Sequence, residues 1–241
     1  MTLPVRQFDP RADVIDLGWG HPGPELLPVA GLRRASSRVF ARFGSDCLGY
    51  GSAGGPGPLV EWICHRLGQI DQRSPATDSV VVSAGNSHAL EQLATLLTVP
   101  GDVVLVEAPT YHLAVRILQD HPVDIVPVPT DVDGLELNAL EHTVKRLRRR
   151  HLSVRLLYTV PTFHNPTGVS LAGDRRRQLV RMAEAWGILI IEDDAYRELS
   201  YGDPAPPSLW SVGTPGTVVR LGTFAKSLAP GLRTGFITSD V

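Results

Sequence analysis

Short runs of β-branched and aliphatic residues alternate with longer amphipathic stretches between residues 79 and 238. The runs have the length of buried strands, and the stretches have the spacing of helices that cover a sheet. We predict strands at 79–83, 103–106, 123–128, 154–160, 188–192, 217–221 and 235–238 and helices at 87–97, 111–119, 137–149 and 174–186. This order predicts an α/β fold with a largely parallel mixed sheet and helices on both faces.

The amino-terminal part of the chain has a different pattern. Glycine and proline are concentrated in residues 18–24 and 50–57, which predicts loops, and helices are predicted at 29–43 and 59–67. The proline-rich stretch 203–215 is predicted to be a loop within the domain. The arginines at 175–177 are predicted to lie on the solvated face of a helix.

Composition excludes several classes of function. The 241 residues are 43% apolar, which is ample for a core, and a net charge of −2 gives no reason to expect nucleic acid or an anionic membrane as a partner. No apolar stretch approaches the roughly 18 residues that suggest a membrane span. Cys47 and Cys64 lack metal-ligand spacing and the first residues are too polar for a secretory signal, so we expect no metal and a cytoplasmic location.

The clearest candidate for chemistry is a lysine. The chain has only two, Lys145 and Lys226, and the second follows the predicted strand 217–221 among small residues, with Arg233 seven positions later. A partly desolvated amine beside a bound anion is suited to covalent catalysis. We therefore predict that Lys226 forms a Schiff base.

Two further motifs follow predicted strands. Asp193 ends an apolar run and Tyr196 follows three residues later, whereas Asn165 lies in the turn His164-Asn-Pro-Thr-Gly168. Because ligands bind at the carboxyl ends of strands in such sheets, we expect these side chains to lie near the lysine. The neighbouring Asp194 is expected to be a solvated acid.

In this order, the motifs resemble those of the fold type I pyridoxal-phosphate enzymes, specifically the class I/II aminotransferases and their multisubstrate 2-aminoadipate-type branch. The resemblance runs from about Val14 to Val241. It implies pyridoxal phosphate as cofactor and transfer of an amino group from an L-amino acid to a 2-oxo acid, by family default 2-oxoglutarate. It also implies that residues 1–45 contribute to a small domain and the substrate site, and that residues 46–241 form the cofactor-binding large domain.

The resemblance assigns catalytic roles to three residues. Lys226 would hold the cofactor as an internal aldimine and later move a proton between the substrate and the cofactor. Asp193 would face the pyridine nitrogen and keep the ring protonated. Tyr196 would donate a hydrogen bond to the phenolate oxygen of the cofactor, together with Asn165.

A phosphate site is predicted between a strand and a helix. The backbone amides of Gly85, Asn86 and Ser87 can point at an anion at the helix N-terminus. The resemblance adds the hydroxyl of Thr223 and the guanidinium of Arg233 to this site.

Three more positions match the family. Tyr111 would stack on the cofactor ring, and Gly20 would lie near the substrate together with Asn165. Tyr50 would reach the phosphate of the neighbouring subunit, which implies a homodimer.

The resemblance also implies a missing part. Relatives continue beyond their lysine motif into the small domain and an arginine that binds the substrate α-carboxylate, whereas this sequence ends at Val241. The alternatives are a truncated aminotransferase, a cofactor-binding relic without turnover, or the effector half of a transcription regulator, although no helix-turn-helix segment precedes Val14.

A hydrolase is a further alternative. The sequence around Ser87 resembles a nucleophile elbow between a strand and a helix. That fold requires a histidine after the acid, and no histidine follows His164. The hydrolase therefore lacks its base.

Overall fold

The computed structural model describes residues 13–15, 18 and 20–240, which form an eight-stranded sheet with helices on both faces. The strands are β1 (Val80–Ser83), β2 (Val103–Ala108), β3 (Asp124–Asp131), β4 (Gly134–Leu135), β5 (Val154–Thr159), β6 (Leu189–Asp193), β7 (Val218–Thr223) and β8 (Gly235–Thr238). The helices are α1 (Val29–Phe43), α2 (Gly57–Asp71), α3 (Asn86–Leu97), α4 (His112–Gln119), α5 (Leu137–Arg149), α6 (Gly173–Trp186) and α7 (Leu209–Val212).

The strand directions bring the carboxyl ends of six strands to one edge. The sheet order is β1-β8-β7-β6-β5-β2-β3-β4, and β7, β6, β5, β2 and β3 pair in parallel. Strand β8 is antiparallel to both β7 and β1, so β1 runs in the same direction as β7. The segments that follow β1, β2, β5, β6 and β7 therefore all begin at the same edge of the sheet.

The core has a layer on each face of the sheet. Alternate residues of a strand point to opposite faces, so Leu105 and Ile190 pack with helices α5, α6 and α7, whereas Val104 and Ile191 pack with α3 and α4. A smaller cluster joins α2 to Phe236 of β8. The predicted α/β fold is confirmed.

The stretch 203–215 contains a short helix that the sequence pattern did not reveal. Helix α7 begins after Ser208, whose side chain accepts a hydrogen bond from the backbone of Ser211. The buried carboxylate of Glu192 accepts from the backbone amides of Leu209 and Trp210. Two caps thus satisfy the first amides of a helix that is too short to show a periodic pattern.

Helix α1 differs from the other long helices because none of its residues is buried. The division into residues 1–45 and 46–241 stays a prediction, and residues 1–12 lie outside the described part. Within the described ranges, no helix combines the length and apolar character needed to cross a membrane.

Candidate active site

The predicted site residues come together at the shared strand edge. Lys226 follows β7, Asp193 closes β6 and Asn165 follows β5. Tyr111 precedes α4 after β2, and Asn86 begins α3 after β1. Five segments that are distant in sequence therefore converge because their strands run in the same direction.

Asp193 is buried and held by two neutral donors. The side-chain amide of Asn86 donates to its Oδ1 at 2.6 Å, and the hydroxyl of Tyr158 donates to its Oδ2 at 2.7 Å. Burial raises the pKa of Asp193 above its ordinary value, whereas the two donors act in the opposite direction. Both oxygens of the carboxylate are held by hydrogen bonds, and no arginine or lysine of the described residues forms an ion pair with it.

Lys226 is partly buried beside the amino-terminal segment. Its Nζ donates to the backbone oxygen of Gly20 at 2.7 Å and lies 5.7 Å from the centre of the Tyr196 ring. Burial lowers the pKa of Lys226 below its ordinary value, and the charge of Asp193 only partly offsets this. A lowered pKa increases the fraction of unprotonated amine at neutral pH, as a nucleophilic lysine requires. Gly20 therefore lies next to the candidate reactive nitrogen.

Asn165 and Tyr196 form a hydrogen-bonded pair. The Asn165 amide donates to the Tyr196 hydroxyl oxygen at 3.0 Å. Burial raises the pKa of Tyr196, and the hydrogen bond from Asn165 lowers it in part. The phenol therefore keeps its proton and can donate to a third group.

The predicted anion site lies at the start of α3. Gly85 precedes the helix with a φ of +91°, and a Cβ at this position would lie 2.9 Å from Nη2 of Arg233. The same Nη2 donates to the backbone oxygen of Ala84 at 3.2 Å. The guanidinium thus lies beside Ala84 and Gly85 at the N-terminus of α3, and a guanidinium next to a helix N-terminus is a combination that suits phosphate.

Two other predicted residues border this group. Tyr111 is partly buried and, like Tyr196, packs against the apolar layer below α3 and α4, and burial raises its pKa. Thr223 ends β7 and its hydroxyl accepts from the backbone amide of Ala225 at 3.1 Å.

Tyr50 is separate from the cluster. It lies on the loop before α2 and is fully exposed, so it contacts none of the other candidate residues. Its predicted role on a neighbouring subunit stays a prediction.

Asp194 is not the solvated acid that we expected. It is 6% exposed and forms ion pairs with Arg197 at 2.5 Å and Arg220 at 2.7 Å. Burial alone would raise the pKa of Asp194, but Arg220 and Arg197 hold it below its ordinary value. The two adjacent acids therefore differ in environment: Asp193 has neutral donors and Asp194 has buried cations.

The prediction for residues 175–177 is also wrong at one position. Arg176 is 1% exposed, and its guanidinium donates to the backbone oxygens of Leu171, Pro161 and Pro207 and to the hydroxyl of Thr162. Through Pro161 and Thr162, Arg176 holds the segment that leads to Asn165.

The family follows from comparison with known sequences. The profile described as "Aminotransferase class I and II" matches residues 12–241. The chain belongs to this family. It is 34% identical to the aromatic-amino-acid aminotransferase 1 of Thermococcus litoralis over 95% of this chain and 55% of that protein. It is also 34% identical to the 2-aminoadipate transaminase of Thermus thermophilus, over 94% of this chain and 55% of that protein.

Solved structures agree with this aminotransferase assignment. A kynurenine aminotransferase from Pyrococcus horikoshii, crystallised in complex with PMP, superposes with a TM-score of 0.89 at 33% identity, over 95% of this chain and 56% of that chain. Uncharacterised transcriptional regulators of the HTH type also match this chain. The chain spans about half the length of the curated relatives it matches. The predicted family is confirmed.

The sequence alone does not reveal two contacts of the site. The sequence predicts that the backbone amide of Asn86 binds the phosphate. In the structure, the side-chain amide of Asn86 also donates a hydrogen bond to Asp193. The sequence pattern predicts Tyr158 only as part of an apolar strand. A phenol in a fully buried strand needs a hydrogen-bond partner, and that requirement was the available signal.

We expect the two acids to differ in their effect on stability. Asp194→Asn leaves two buried arginines without their common partner and should lower the free energy of unfolding by about 3–5 kcal/mol. Asp193→Asn removes no ion pair and should cost roughly 1 kcal/mol. Urea denaturation of both variants measures this difference, and equal losses would contradict the assigned environments.

Gly85→Ala should weaken binding of inorganic phosphate roughly tenfold, because the new Cβ displaces the Arg233 guanidinium. Gly101→Ala is the matched control, since Gly101 has a similar φ of +89° but no atom within 4 Å of a new Cβ. Both variants place a Cβ on a residue of positive φ, so the control accounts for the general cost of that substitution. If calorimetry finds the same phosphate affinity for both, Arg233 does not form the anion site.

Proposed function

We propose that this chain forms the cofactor-binding part of an aminotransferase that transfers an amino group from an L-amino acid to a 2-oxo acid, with 2-oxoglutarate as acceptor. One observation carries the proposal. A lysine of lowered pKa, a buried carboxylate and an arginine at a helix N-terminus meet at one edge of the sheet. The aminotransferases at 34% identity support it.

The chemistry of the side chains suits pyridoxal phosphate. Its aldehyde needs an amine, its ring nitrogen a carboxylate, its phenolate oxygen hydrogen-bond donors and its phosphate an anion site. These requirements correspond to Lys226, Asp193, the Asn165–Tyr196 pair and Arg233 beside α3. The buried Oδ1 of Asn86 has no hydrogen-bond partner among the described residues, so the site has an unused polar atom.

The remaining cofactor contacts are assigned by residue type. The amides of Gly85 and Ser87 and the hydroxyl of Thr223 would complete the phosphate site. Tyr111 would cover one face of the ring. When bound, pyridoxal phosphate supplies an electron sink for the substrate carbanion.

The protein contributes proton transfer and orientation. Lys226 accepts and returns a proton at Nζ, for which a pKa nearer to neutral pH is favourable. Asp193 would hold the ring nitrogen of the cofactor through its carboxylate and would favour the protonated ring. The hydroxyl of Tyr196 stays protonated and acts as a hydrogen-bond donor. The side-chain amide of Asn165 fixes the direction of this hydroxyl.

Substrate and partner assignments extend the proposal. Gly20 and Asn165 would border the amino acid, and Tyr50 would reach the site of a second subunit in a homodimer. We also propose that the protein is located in the cytoplasm.

A cofactor-binding effector domain is the alternative role, because regulators also match the chain. We prefer the enzyme, since the relatives of higher identity are named aminotransferases. Transfer of an amino group between substrates in solution distinguishes the two.

After incubation with pyridoxal phosphate and reduction with borohydride, we expect peptide mapping to find the label on Lys226. Lys145 lies on the surface of α5, where its Nζ pairs with Glu141 at 2.6 Å. Lys226→Arg should abolish labelling and Lys145→Arg should not change it. Label on Lys145, or no label, would refute the proposed attachment site.

A further inference from the structure

Tyr158 lies directly behind the candidate carboxylate. It is a residue of β5 and is completely buried. Its Cα pairs with Ile191 on the parallel neighbour β6, and Ile191 and Asp193 point to the same face because they are two residues apart. The phenol therefore extends along this face and reaches Oδ2 of Asp193 at 2.7 Å.

The ring and the hydroxyl of Tyr158 have different surroundings. The ring belongs to the apolar layer with Val106 and Leu221 below helices α3 and α4. The hydroxyl is bonded to Asp193. A phenylalanine would keep the packing of the ring and remove only this bond, so the two contributions can be separated.

We propose that Tyr158 is a positioning residue, whose hydroxyl acts with the Asn86 amide to fix the direction and the ionised form of Asp193 toward the ring nitrogen of the cofactor. The inference rests on the proposed function. Each oxygen of the carboxylate accepts one protein hydrogen bond, which leaves further lone pairs of Asp193 for the ring.

The electrostatics agree with this geometry. Burial and the charge of Asp193 raise the pKa of Tyr158 well above its ordinary value, so the phenol stays a donor. Asp194 raises the pKa of Asp193, and Lys226 lowers it. The other titratable groups around the pair are Tyr111, Tyr196 and Glu107.

The first test uses no cofactor. Aspartate labelled with ¹³C at the side-chain carboxyl is titrated by NMR in the chain, and Asp193→Asn identifies the Asp193 signal. We expect Tyr158→Phe to raise the pKa of Asp193, because a donor that favours the carboxylate is lost. Tyr201→Phe, at a fully exposed position, should not change it. An unchanged pKa in Tyr158→Phe would overturn the proposal.

Asn86→Ala gives a second measurement if Tyr158→Phe does not fold. Asn86 is only partly buried and donates to the other oxygen of Asp193. Its removal should also raise the pKa of Asp193. No change would mean that neutral donors do not control this carboxylate, and the proposal would fail.

The second test is a double-mutant cycle on pyridoxal phosphate binding. Tyr158→Phe should weaken binding roughly tenfold in the natural chain and have little effect in the Asp193→Asn background. Equal losses in both backgrounds would show that the hydroxyl does not act through Asp193, which overturns the inference. Failure of Lys226 labelling would instead refute the proposed function, and the titration without cofactor would still decide the role of Tyr158.

Discussion

The position of the candidate site residues depends on the buried ion pairs that Asp194 forms with Arg197 and Arg220. Arg220 lies on β7 and also pairs with Asp71 of α2, while Arg197 follows Tyr196. Buried charges are costly to separate once they are paired, so this group joins β6, β7 and α2 in one arrangement. With Asp194 held inside, the end of β6 presents Asp193 to the site.

The same group of charges reaches the turn that carries Asn165. Arg197 and Arg176 both donate to the hydroxyl of Thr162, at 3.2 and 3.0 Å. His164, the residue before Asn165, forms a buried pair with Glu107. The distance between Nε2 of His164 and Oε2 of Glu107 is 3.2 Å. Residues on the segment just before Asn165 are thus held by buried partners, and such support limits the movement of a site residue on a turn.

The sequence predicted those parts of the structure that have a local signal. Short runs of β-branched and aliphatic residues identified the strands, and the motifs around Asn165, Asp193 and Lys226 identified residues that the strand directions bring together. The environment of Asp194, the burial of Arg176 and the cap that Glu192 provides to α7 depend on partners that are distant in the chain. Nothing within a few residues distinguishes a buried, paired arginine from a solvated one. For Tyr158, the strand pattern indicates that a buried phenol needs a hydrogen-bond partner, but the partner itself lies on another strand and has no local signal.

The central claim is that Asp193 holds the ring nitrogen of pyridoxal phosphate in its protonated form at this edge of the sheet. The most direct measurement is the ¹⁵N chemical shift of the ring nitrogen of ¹⁵N-labelled cofactor bound to the chain at neutral pH. We expect a protonated nitrogen in the natural chain and an unprotonated one in Asp193→Asn, in which the carboxylate is replaced by a neutral amide of the same shape. The same protonation state in both would contradict the account.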